Sequence, residues 1–268
     1  MREFINHKIF QLLSELSEQL QIQTFVVGGF VRNCFLEEKN EFKDIDIVCN
    51  KNAIELAKKM SKKLNLKDIV IYKNFGTALV KYKQIQIEFI SARKEYYDPS
   101  SRKPTIRHGS MEDDQKRRDF TINAMSISLN KKTFGNLIDP FGGLSDIESK
   151  LLRHVSDAFI EDPLRVLRVA RFYAKLASLG FNISPDTLEL MSIISRSGEL
   201  KTLSAERIWQ EFNAALATPS PEKFIAALRE CGALKTILPE VDALFRIPQP
   251  QERPPEMNAG VQALLSLQ

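Results

Sequence analysis

Hydrophobic and polar positions alternate differently in the two halves of this chain. In the first half, apolar residues recur at helical spacing over 3–21, which predicts an amphipathic helix, and a β-rich run follows at 24–27. The pattern then predicts a helix starting at Phe30, a strand at 44–48, a Lys-rich helix at 52–64 and strands near 77–82 and 84–92. Strands and helices mixed in this way indicate an α+β head.

The pattern changes twice after these strands. Residues 93–118 are polar and charged and contain two prolines, so we predict a mobile loop there. From about residue 144 strand signals nearly vanish, and helical periodicity predicts helices at 162–179, 184–196, 204–217 and 221–231. We therefore expect a head over 1–150 and an all-helical part over 151–245. The remainder, 246–268, is expected to be a linker or the remnant of a truncated C-terminal domain.

The composition excludes some protein classes. The chain has 268 residues, 43% of them hydrophobic and 27% charged, which is ordinary for a globular protein. It contains no apolar run of 18 residues, and its first ten residues lack the apolar core that a signal peptide would have. Its three widely spaced cysteines indicate neither a disulfide framework nor a zinc site. We expect a reducing, cytoplasmic location, no membrane contact and buried cysteines. The net charge of +4 permits nucleic-acid binding without proving it, and the oligomeric state stays unknown.

The sequence Asp44-Ile45-Asp46 is the main candidate for chemistry. In a strand, residues two apart point to the same face, so the two carboxylates project together. Like charges this close repel, and a divalent cation relieves that repulsion. Oxygen ligands of this kind suit Mg²⁺ and two-metal phosphoryl chemistry. A surface pair on an edge strand is the alternative interpretation of the motif by itself.

A glycine pair precedes the carboxylates by some fifteen residues. Gly28 and Gly29 lie between a predicted strand and a predicted helix, where glycine lets backbone N–H groups approach a phosphate closely. Arg32 follows one helical turn later and can form charge-assisted hydrogen bonds to a phosphate. A tight turn is the simpler interpretation of the glycines, but their combination with Arg32 and the acidic pair is much rarer.

Several further motifs occur in a fixed order along the chain. They are GGFVRN (28–33), DIDIV (44–48), KRRDFTINAM (116–125), DPFGGLSDIESKLLRHV (139–155), EDPLRVLRVARF (161–172) and SAERIWQEF (204–212). Together they resemble the class II nucleotidyltransferase family of bacterial CCA-adding tRNA nucleotidyltransferases and poly(A) polymerases. The resemblance implies a nucleotidyltransferase head with a small mixed sheet, followed by an all-helical neck and body.

The resemblance also implies roles for individual residues. Asp44 and Asp46 would hold the catalytic Mg²⁺ ions. The residues implied to bind nucleotide are Gly29, Arg32, Arg118, Asp162, Arg165, Arg168 and Arg171. In the family, an Asp and Arg matching Asp162 and Arg165 act as a protein template that accepts C or A. By local chemistry alone, Asp162 could instead simply begin a helix ahead of Pro163.

Four other residues were assigned less specifically. By resemblance, Asp119 orients neighbouring arginines. Glu88 is either a third carboxylate near the metals or a solvent-facing strand residue. The family usually has Asp where this chain has Asn33, which keeps hydrogen bonding but loses a charge. Trp209 is expected in a helical core.

The function implied is template-independent addition of C and A to the tRNA 3′ end from CTP and ATP. Alternatives are a poly(A) polymerase, an enzyme that adds only CC or only A, and a non-catalytic RNA-binding remnant. The last 14 residues resemble the entry to an HD-type domain, but Gln262 stands at the position of its first His. We therefore expect no working HD hydrolase site.

Overall fold

The chain divides into two units in the computed structural model, which describes residues 4–36, 43–98, 101–248 and 258–268. The first unit is Met1–Ile147 and the second unit is Glu148–Gln268. The first contains the large sheet and the second is mainly helical. This is the α+β fold expected from the change in periodicity.

Seven of the described strands form one mixed sheet in the first unit. They are β1 (Thr24–Val27), β2 (Asp44–Cys49), β3 (Ile69–Tyr72), β4 (Thr77–Tyr82), β5 (Ile85–Ser91), β8 (Ser126–Ser128) and β9 (Leu137–Ile138), with β6 (Arg93–Asp98) and β7 (Ser101–His108) paired separately. The order is β3-β4-β5-β2-β1-β8-β9. Only β2 and β5 run parallel among these described neighbours. The short strands β3, β8 and β9 were not predicted, since two to four residues give too little periodicity.

Helices of the first unit cover the sheet and carry parts of the candidate site. They are α1 (Lys8–Leu20), α2 (Gly29–Phe35), α3 (Ala53–Lys63), α4 (Met111–Lys116), α5 (Thr121–Ala124) and α6 (Gly143–Glu148). The helix α3 packs against α1, β4 and β5. Its fully buried residues Leu56 and Met60 recur four apart, which is the amphipathic spacing of a helix lying on a sheet. This packing fixes β5, which is the parallel neighbour of β2 in the sheet.

The prediction of an irregular loop over 93–118 was wrong. The segment contains the antiparallel hairpin β6–β7 and the helix α4, with residues 99–100 outside the described part. A two-stranded sheet consists of two edge strands, and edge strands tolerate a proline such as Pro104. Backbone pairing therefore forms here despite the polar composition. The helix α4 begins with a capping box between Ser110 and Asp113.

The second unit is mainly helical, but it is not all-helical as predicted, because two short strands pair within it. Its elements are β10 (Leu151–Leu152), α7 (Leu164–Leu176), β11 (Asn182–Ile183), α8 (Pro185–Ser197), α9 (Ala205–Leu216), α10 (Glu222–Glu230), α11 (Leu234–Ile237), α12 (Pro239–Leu244) and α13 (Ala259–Leu265). The four helices expected from periodicity correspond to α7, α8, α9 and α10. Both α9 and α10 pack against α7, so α7 is the central helix of this unit.

Two expectations about single residues had different outcomes. The three cysteines are free and buried, as expected. The expectation that Trp209 is a core residue was wrong, because 59% of it is exposed and it only borders Phe212, at 6.1 Å between ring centroids. Helical spacing places Trp209 near Phe212 but does not decide which residues an adjacent helix covers.

The remaining features concern the C-terminal stretch and the membrane. Most of the stretch expected to be a linker, 249–257, lies outside the described residues. The described part forms α13, which includes Gln262 and is capped by the Asn258 side chain on the Val261 N–H at 2.9 Å. In the parts of the chain that the structure describes, no helix combines the length and the apolar character needed to cross a membrane.

Candidate active site

The carboxylates of Asp44 and Asp46 lie on the same side of β2, since strand side chains two residues apart share a face. Ile45 between them is 2% exposed and belongs to the core. Asp44 is exposed and Asp46 is half-buried. The structure thus brings the two candidate metal ligands together at the sheet surface.

The turn after β1 lies directly beside Asp46. Asp46 pairs with Val27, the last residue of β1. Gly28 follows with φ 70° and ψ −135°, a conformation that other residues rarely adopt. A Cβ atom at Gly28 would lie 3.2 Å from Asp46 Oδ2 and 3.2 Å from Arg118 Nη1. Gly28 therefore lets the turn approach a carboxylate and a guanidinium at once.

Gly29, which the resemblance assigned to nucleotide binding, is less constrained. It is the first residue of α2, and an added Cβ would meet Arg32 Nη2 at an ordinary 3.6 Å. The sequence pointed to the glycine pair, but the geometry shows that the first of the two is the one the turn requires.

Arg118 is held by a buried carboxylate on α4. Arg118 donates from Nε and Nη2 to Asp114 Oδ2 at 3.2 and 3.0 Å. Arg117 donates from Nε and Nη2 to Asp114 Oδ1 at 3.2 and 2.5 Å. Asp114 is completely buried, so one carboxylate orients both arginines of the Arg-Arg-Asp motif.

Charge and burial act oppositely on the two acidic groups of this region. Burial raises the pKa of Asp46, and the Asp44 and Asp114 charges raise it further, while Arg118 opposes the rise. Burial alone would also raise the pKa of Asp114, but the charges of Arg118 and Arg117 and their hydrogen bonds outweigh it and lower the pKa. Two arginines therefore balance the negative charge of Asp114, whereas Arg118 offsets only part of the effect of burial on Asp46.

Arg32 is nearly buried, at 4% exposure, and amide groups hold it. Its Nε and Nη2 donate to Asn33 Oδ1 at 3.1 and 2.8 Å, and its Nη1 donates to Asn123 Oδ1 at 2.7 Å. Asn33, where the family usually has Asp, thus still accepts two hydrogen bonds from Arg32. Asp119 accepts from the Asn123 amide at 3.1 Å, so it acts on Arg32 through Asn123.

Glu88 lies on the strand next to the carboxylate pair. In the parallel register of β2 and β5 it is the partner of Asp46, which places it on the same face. Among the described residues, however, no three His, Cys, Asp or Glu side chains come close enough to form a metal-binding group. Glu88 therefore lies beside Asp46 in the sheet, and its role as a third metal ligand stays a prediction.

In the second unit, Asp162 and Arg165 have separate partners. Asp162 accepts the Leu164 N–H at 3.1 Å, which is a helix-start interaction, and its two oxygens lie 3.2 and 3.0 Å from Arg207 Nη2. Arg165 is 8% exposed and donates to the Ala158 carbonyl at 2.6 Å. Both residues are thus held at the start of α7.

Arg168 and Arg171 share one acidic partner on α9. Arg171 Nε donates to Glu211 Oε2 at 2.5 Å, and Arg168 Nη1 lies 3.8 Å from Glu211 Oε1. Arg171 is more enclosed than Arg168, with side-chain exposures of 19% and 36%. Arg168 therefore has more of its side chain accessible to a ligand.

Sequence reasoning missed several residues of these networks. They are Asp114, Asn123, Arg207 and Glu211. Asp114 had a usable signal, because it lies three and four residues before Arg117 and Arg118 on what becomes a helix surface. The other three meet the partners described above, which are Arg32, Asp162 and Arg171, only through the fold.

Known proteins share both the sequence patterns and the fold of this chain. A family model described as "Poly A polymerase head domain" matches residues 24–153. A second, described as "Probable RNA and SrmB-binding site of polymerase A", matches residues 180–245. A crystal structure of a tRNA nucleotidyltransferase complexed with a primer tRNA and an incoming ATP analog is 33% identical with a TM-score of 0.74, covering 87% of this chain and 67% of that one.

The chain belongs to the family of poly(A) polymerases and CCA-adding tRNA nucleotidyltransferases.

Other members of the family are also similar to this chain. The apo form II structure of a CCA-adding enzyme has a TM-score of 0.78 at 34% identity, over 91% of this chain and 58% of that one. The multifunctional CCA protein of Vibrio parahaemolyticus is 51% identical over 170 residues, which are 63% of this chain and 39% of that protein. That of Pseudomonas fluorescens is 55% identical over 159 residues, 59% of this chain and 38% of that protein. The chain thus spans about two fifths of these curated relatives.

Proposed function

We propose that this chain is a CCA tRNA nucleotidyltransferase, adding C and A to the tRNA 3′ end from CTP and ATP. One observation supports this most: Asp46, the Gly28 turn and Arg118 converge within contact distance at the end of β1. A carboxylate pair beside a guanidinium and a close-approaching backbone turn is suited to binding a nucleoside triphosphate with a cation. The tRNA nucleotidyltransferase named above is complexed with a primer tRNA and an incoming ATP analog, and a CCA-adding enzyme similar to this chain is complexed with CTP.

The reaction joins the RNA 3′ oxygen to the α-phosphorus of CTP or ATP and releases pyrophosphate. Such phosphoryl transfer depends mainly on positioning and charge neutralisation. In our proposal Asp44 and Asp46 hold the metal, Gly29 and Arg32 bind the triphosphate, and Arg118 neutralises negative charge. The Arg32 and Arg118 guanidiniums are held by hydrogen bonds to Asn123 and Asp114, so the protein itself orients both groups.

The donor set fits Mg²⁺. Asp44 and Asp46 supply hard carboxylate oxygens on one strand face, and the pKa of Asp46 is raised partly by the Asp44 charge. That repulsion is what a cation would relieve. When bound, Mg²⁺ would supply Lewis-acid stabilisation of the attacking and leaving oxygens.

The second unit would choose the nucleotide and contact RNA. We assign base selection to Asp162 and Arg165, and phosphate or RNA contacts to Arg168 and Arg171. The matched segment 180–245, described for its relatives as a probable RNA-binding site, supports RNA contact in this unit. We further propose a cytoplasmic location, where tRNA, CTP and ATP are available.

Product length tests the proposal. The protein is incubated with Mg²⁺ and tRNAs ending before the CCA, after the first C, or after CC, with each nucleotide offered separately. CCA addition extends the first two with CTP and the third with ATP. ATP-only extension without a length limit would indicate poly(A) synthesis, and activity confined to CTP or to the CC-ending tRNA would indicate a partial enzyme.

The carboxylate pair is tested in the same assay. Asp44→Ala combined with Asp46→Ala should abolish incorporation, because no ligand for Mg²⁺ remains on β2. The matched control combines Asp186→Ala and Asp242→Ala, which removes two charges from ion pairs in the second unit. Incorporation by the β2 double variant at the control's rate would refute the metal assignment.

A further inference from the structure

Asn123 makes three polar contacts through its side chain and its carbonyl, two of them to Arg32 and Arg118. Its side-chain Oδ1 accepts from Arg32 Nη1 at 2.7 Å, and its backbone carbonyl accepts from Arg118 Nη1 at 3.2 Å. Its side-chain Nδ2 donates to Asp119 Oδ1 at 3.1 Å. The residue is 7% exposed, so these contacts use a buried amide whose loss water could not readily replace.

The contacts of Asn123 connect two segments that are distant in sequence, one carrying Arg32 and the other carrying Arg118. Arg32 lies on α2, which follows the Gly28 turn, and Arg118 follows α4. Arg118 Nη1, the same atom that contacts the Asn123 carbonyl, would lie 3.2 Å from a Cβ at Gly28, as would Asp46 Oδ2. Asn123 therefore holds Arg32 through its side chain and, together with Asp114, helps to place the Arg118 guanidinium near Asp46.

The short helix that carries Asn123 is itself fixed from both ends. At its start, Thr121 Oγ1 donates to Asp146 Oδ2 on α6 at 2.7 Å. The Thr121 carbonyl lies so close to Gly143 that a side chain there would collide with it. At its end, Gln115 of α4 donates to the Ala124 carbonyl at 2.7 Å. A residue placed this rigidly can serve as a spacer.

The chemistry of an amide suits this position. An amide oxygen orients a guanidinium without adding negative charge next to a triphosphate. Asn33, which also accepts from Arg32, is likewise an amide. Arg118, by contrast, is held by the Asp114 carboxylate. The amide donor of Asn123 meanwhile needs an acceptor, and Asp119 supplies it.

We propose that Asn123 is a positioning residue that sets the spacing of the Arg32 and Arg118 guanidiniums for the triphosphate of the incoming nucleotide. This inference rests on the proposed function and adds a residue that does not itself touch the nucleotide. Its role is carried by the Oδ1 acceptor on Arg32 and by the helix that holds its carbonyl against Arg118.

The test compares Asn123→Ala with Asn130→Ala. Asn130 is a matched control, because its side-chain amide also makes two hydrogen bonds within the first unit. It accepts from the Thr24 N–H at 3.2 Å and donates to the Ile22 carbonyl at 2.9 Å, and neither partner is an arginine.

Dissociation constants are measured for CTP and for inorganic triphosphate with Mg²⁺, together with the midpoint of thermal unfolding. We expect Asn123→Ala to weaken both ligands about tenfold to a hundredfold, as for a lost hydrogen bond to a charged group. Asn130→Ala should lower the midpoint but change either constant less than twofold.

Asn123→Asp separates positioning from packing. It retains an oxygen for Arg32 but places a second carboxylate against Asp119. If Asn123 positions Arg32, Asn123→Asp binds CTP more tightly than Asn123→Ala; if it only packs, the repulsion makes it bind no better. If Asn123→Ala does not fold, Asn123→Ser, whose shorter side chain also lacks the amide, replaces it in this comparison.

Outcomes for the two hypotheses are distinct. Equal ligand affinity in wild type and Asn123→Ala, or weaker binding by Asn123→Asp than by Asn123→Ala, would overturn the positioning role while leaving nucleotide addition intact. A wild-type protein that binds inorganic triphosphate in an Asn123-dependent way but extends no tRNA would retain the positioning role and reject the proposed function. A wild-type protein that binds neither ligand would reject both.

Discussion

At the scale of single residues, the acidic groups of the candidate site differ in how far neighbouring arginines balance their negative charge. Asp114 lies between two guanidiniums and its pKa is lowered, while the pKa of Asp46 is raised. Groups that are fully paired before substrate arrives are suited to orientation. A carboxylate whose charge is destabilised is suited to binding a cation, because the cation supplies the missing charge.

The first prediction concerns Asp114→Ala. Removing a buried carboxylate leaves Arg117 and Arg118 without their shared partner, which should lower the free energy of unfolding by about 3 kcal/mol. The control is Asp242→Ala, whose partner Arg246 is 77% exposed at its side chain; we expect a loss below about 1 kcal/mol. Urea denaturation of both variants measures the difference, and equal losses would contradict the anchoring role of Asp114.

The same variant has a predicted pH dependence. Since the pKa of Asp114 is lower in the folded state than in the unfolded chain, its stabilisation is fully present above the unfolded value, near about pH 4, and is lost as pH falls below it. The stability difference between wild type and Asp114→Ala should therefore stay constant from neutral pH down to about 5 and shrink below about 4. A difference that grows on acidification would show the opposite shift.

At the scale of elements, the β1–α2 turn is the feature on which the site depends most. Its backbone passes between Asp46 and Arg118 because Gly28 lacks a side chain and adopts φ 70°. Gly29 begins α2 in ordinary helical space. The turn therefore requires glycine at position 28, because of its backbone conformation and its close neighbours, whereas position 29 has neither constraint.

This difference predicts unequal effects of alanine. Gly28→Ala should cost about 1–3 kcal/mol of stability through backbone strain, and it should also weaken CTP binding by displacing Arg118 or Asp46. Gly29→Ala should change stability by less than about 1 kcal/mol, because its Cβ makes only ordinary contacts. Thermal unfolding of both variants, with CTP titration of the Gly28 variant, checks this. Equal destabilisation would show that the turn tolerates side chains alike at both positions.

At the scale of the whole molecule, the candidate residues divide between the two units. Those assigned to metal and triphosphate lie in the first unit, and those assigned to the base lie at the start of α7 in the second. Hydrogen bonds hold each set in place. In the first unit they involve Asp114 and Asn123, and in the second unit they involve Arg207 and Glu211. Chemistry and base selection should therefore respond to different substitutions.

The prediction at this scale is a change of selectivity without loss of chemistry. Asp162→Ala should lower the preference for CTP and ATP over GTP and UTP at least about tenfold, as expected when one specific hydrogen bond is removed. Incorporation itself should persist, because Asp44 and Asp46 are unchanged. The measurement is kcat/KM for all four nucleotides, with Asp186→Ala as the control in the same unit. An unaltered preference would reject base selection by Asp162.

The sequence alone determined the class of fold and the type of chemistry. Helical and strand periodicities are properties of neighbouring residues, so α1, β2, β4, β5 and the four main helices of the second unit were predictable. The D-x-D spacing likewise placed Asp44 and Asp46 on one face, since alternation is inherent in a strand. The ordered motifs indicated the family before any contact was known.

Only the tertiary structure decided which polar groups meet. Arg32 and Asn123 are 91 residues apart, and Asp162 and Arg207 are 45 apart, so no local period connects them. The hairpin β6–β7 forms through cross-strand pairing that a polar composition conceals, and the exposure of Trp209 depends on what its neighbours cover. Distant pairing and burial are decided by the packing of whole elements, because a side chain's partners are set by the path of the chain in space rather than by its neighbours in sequence.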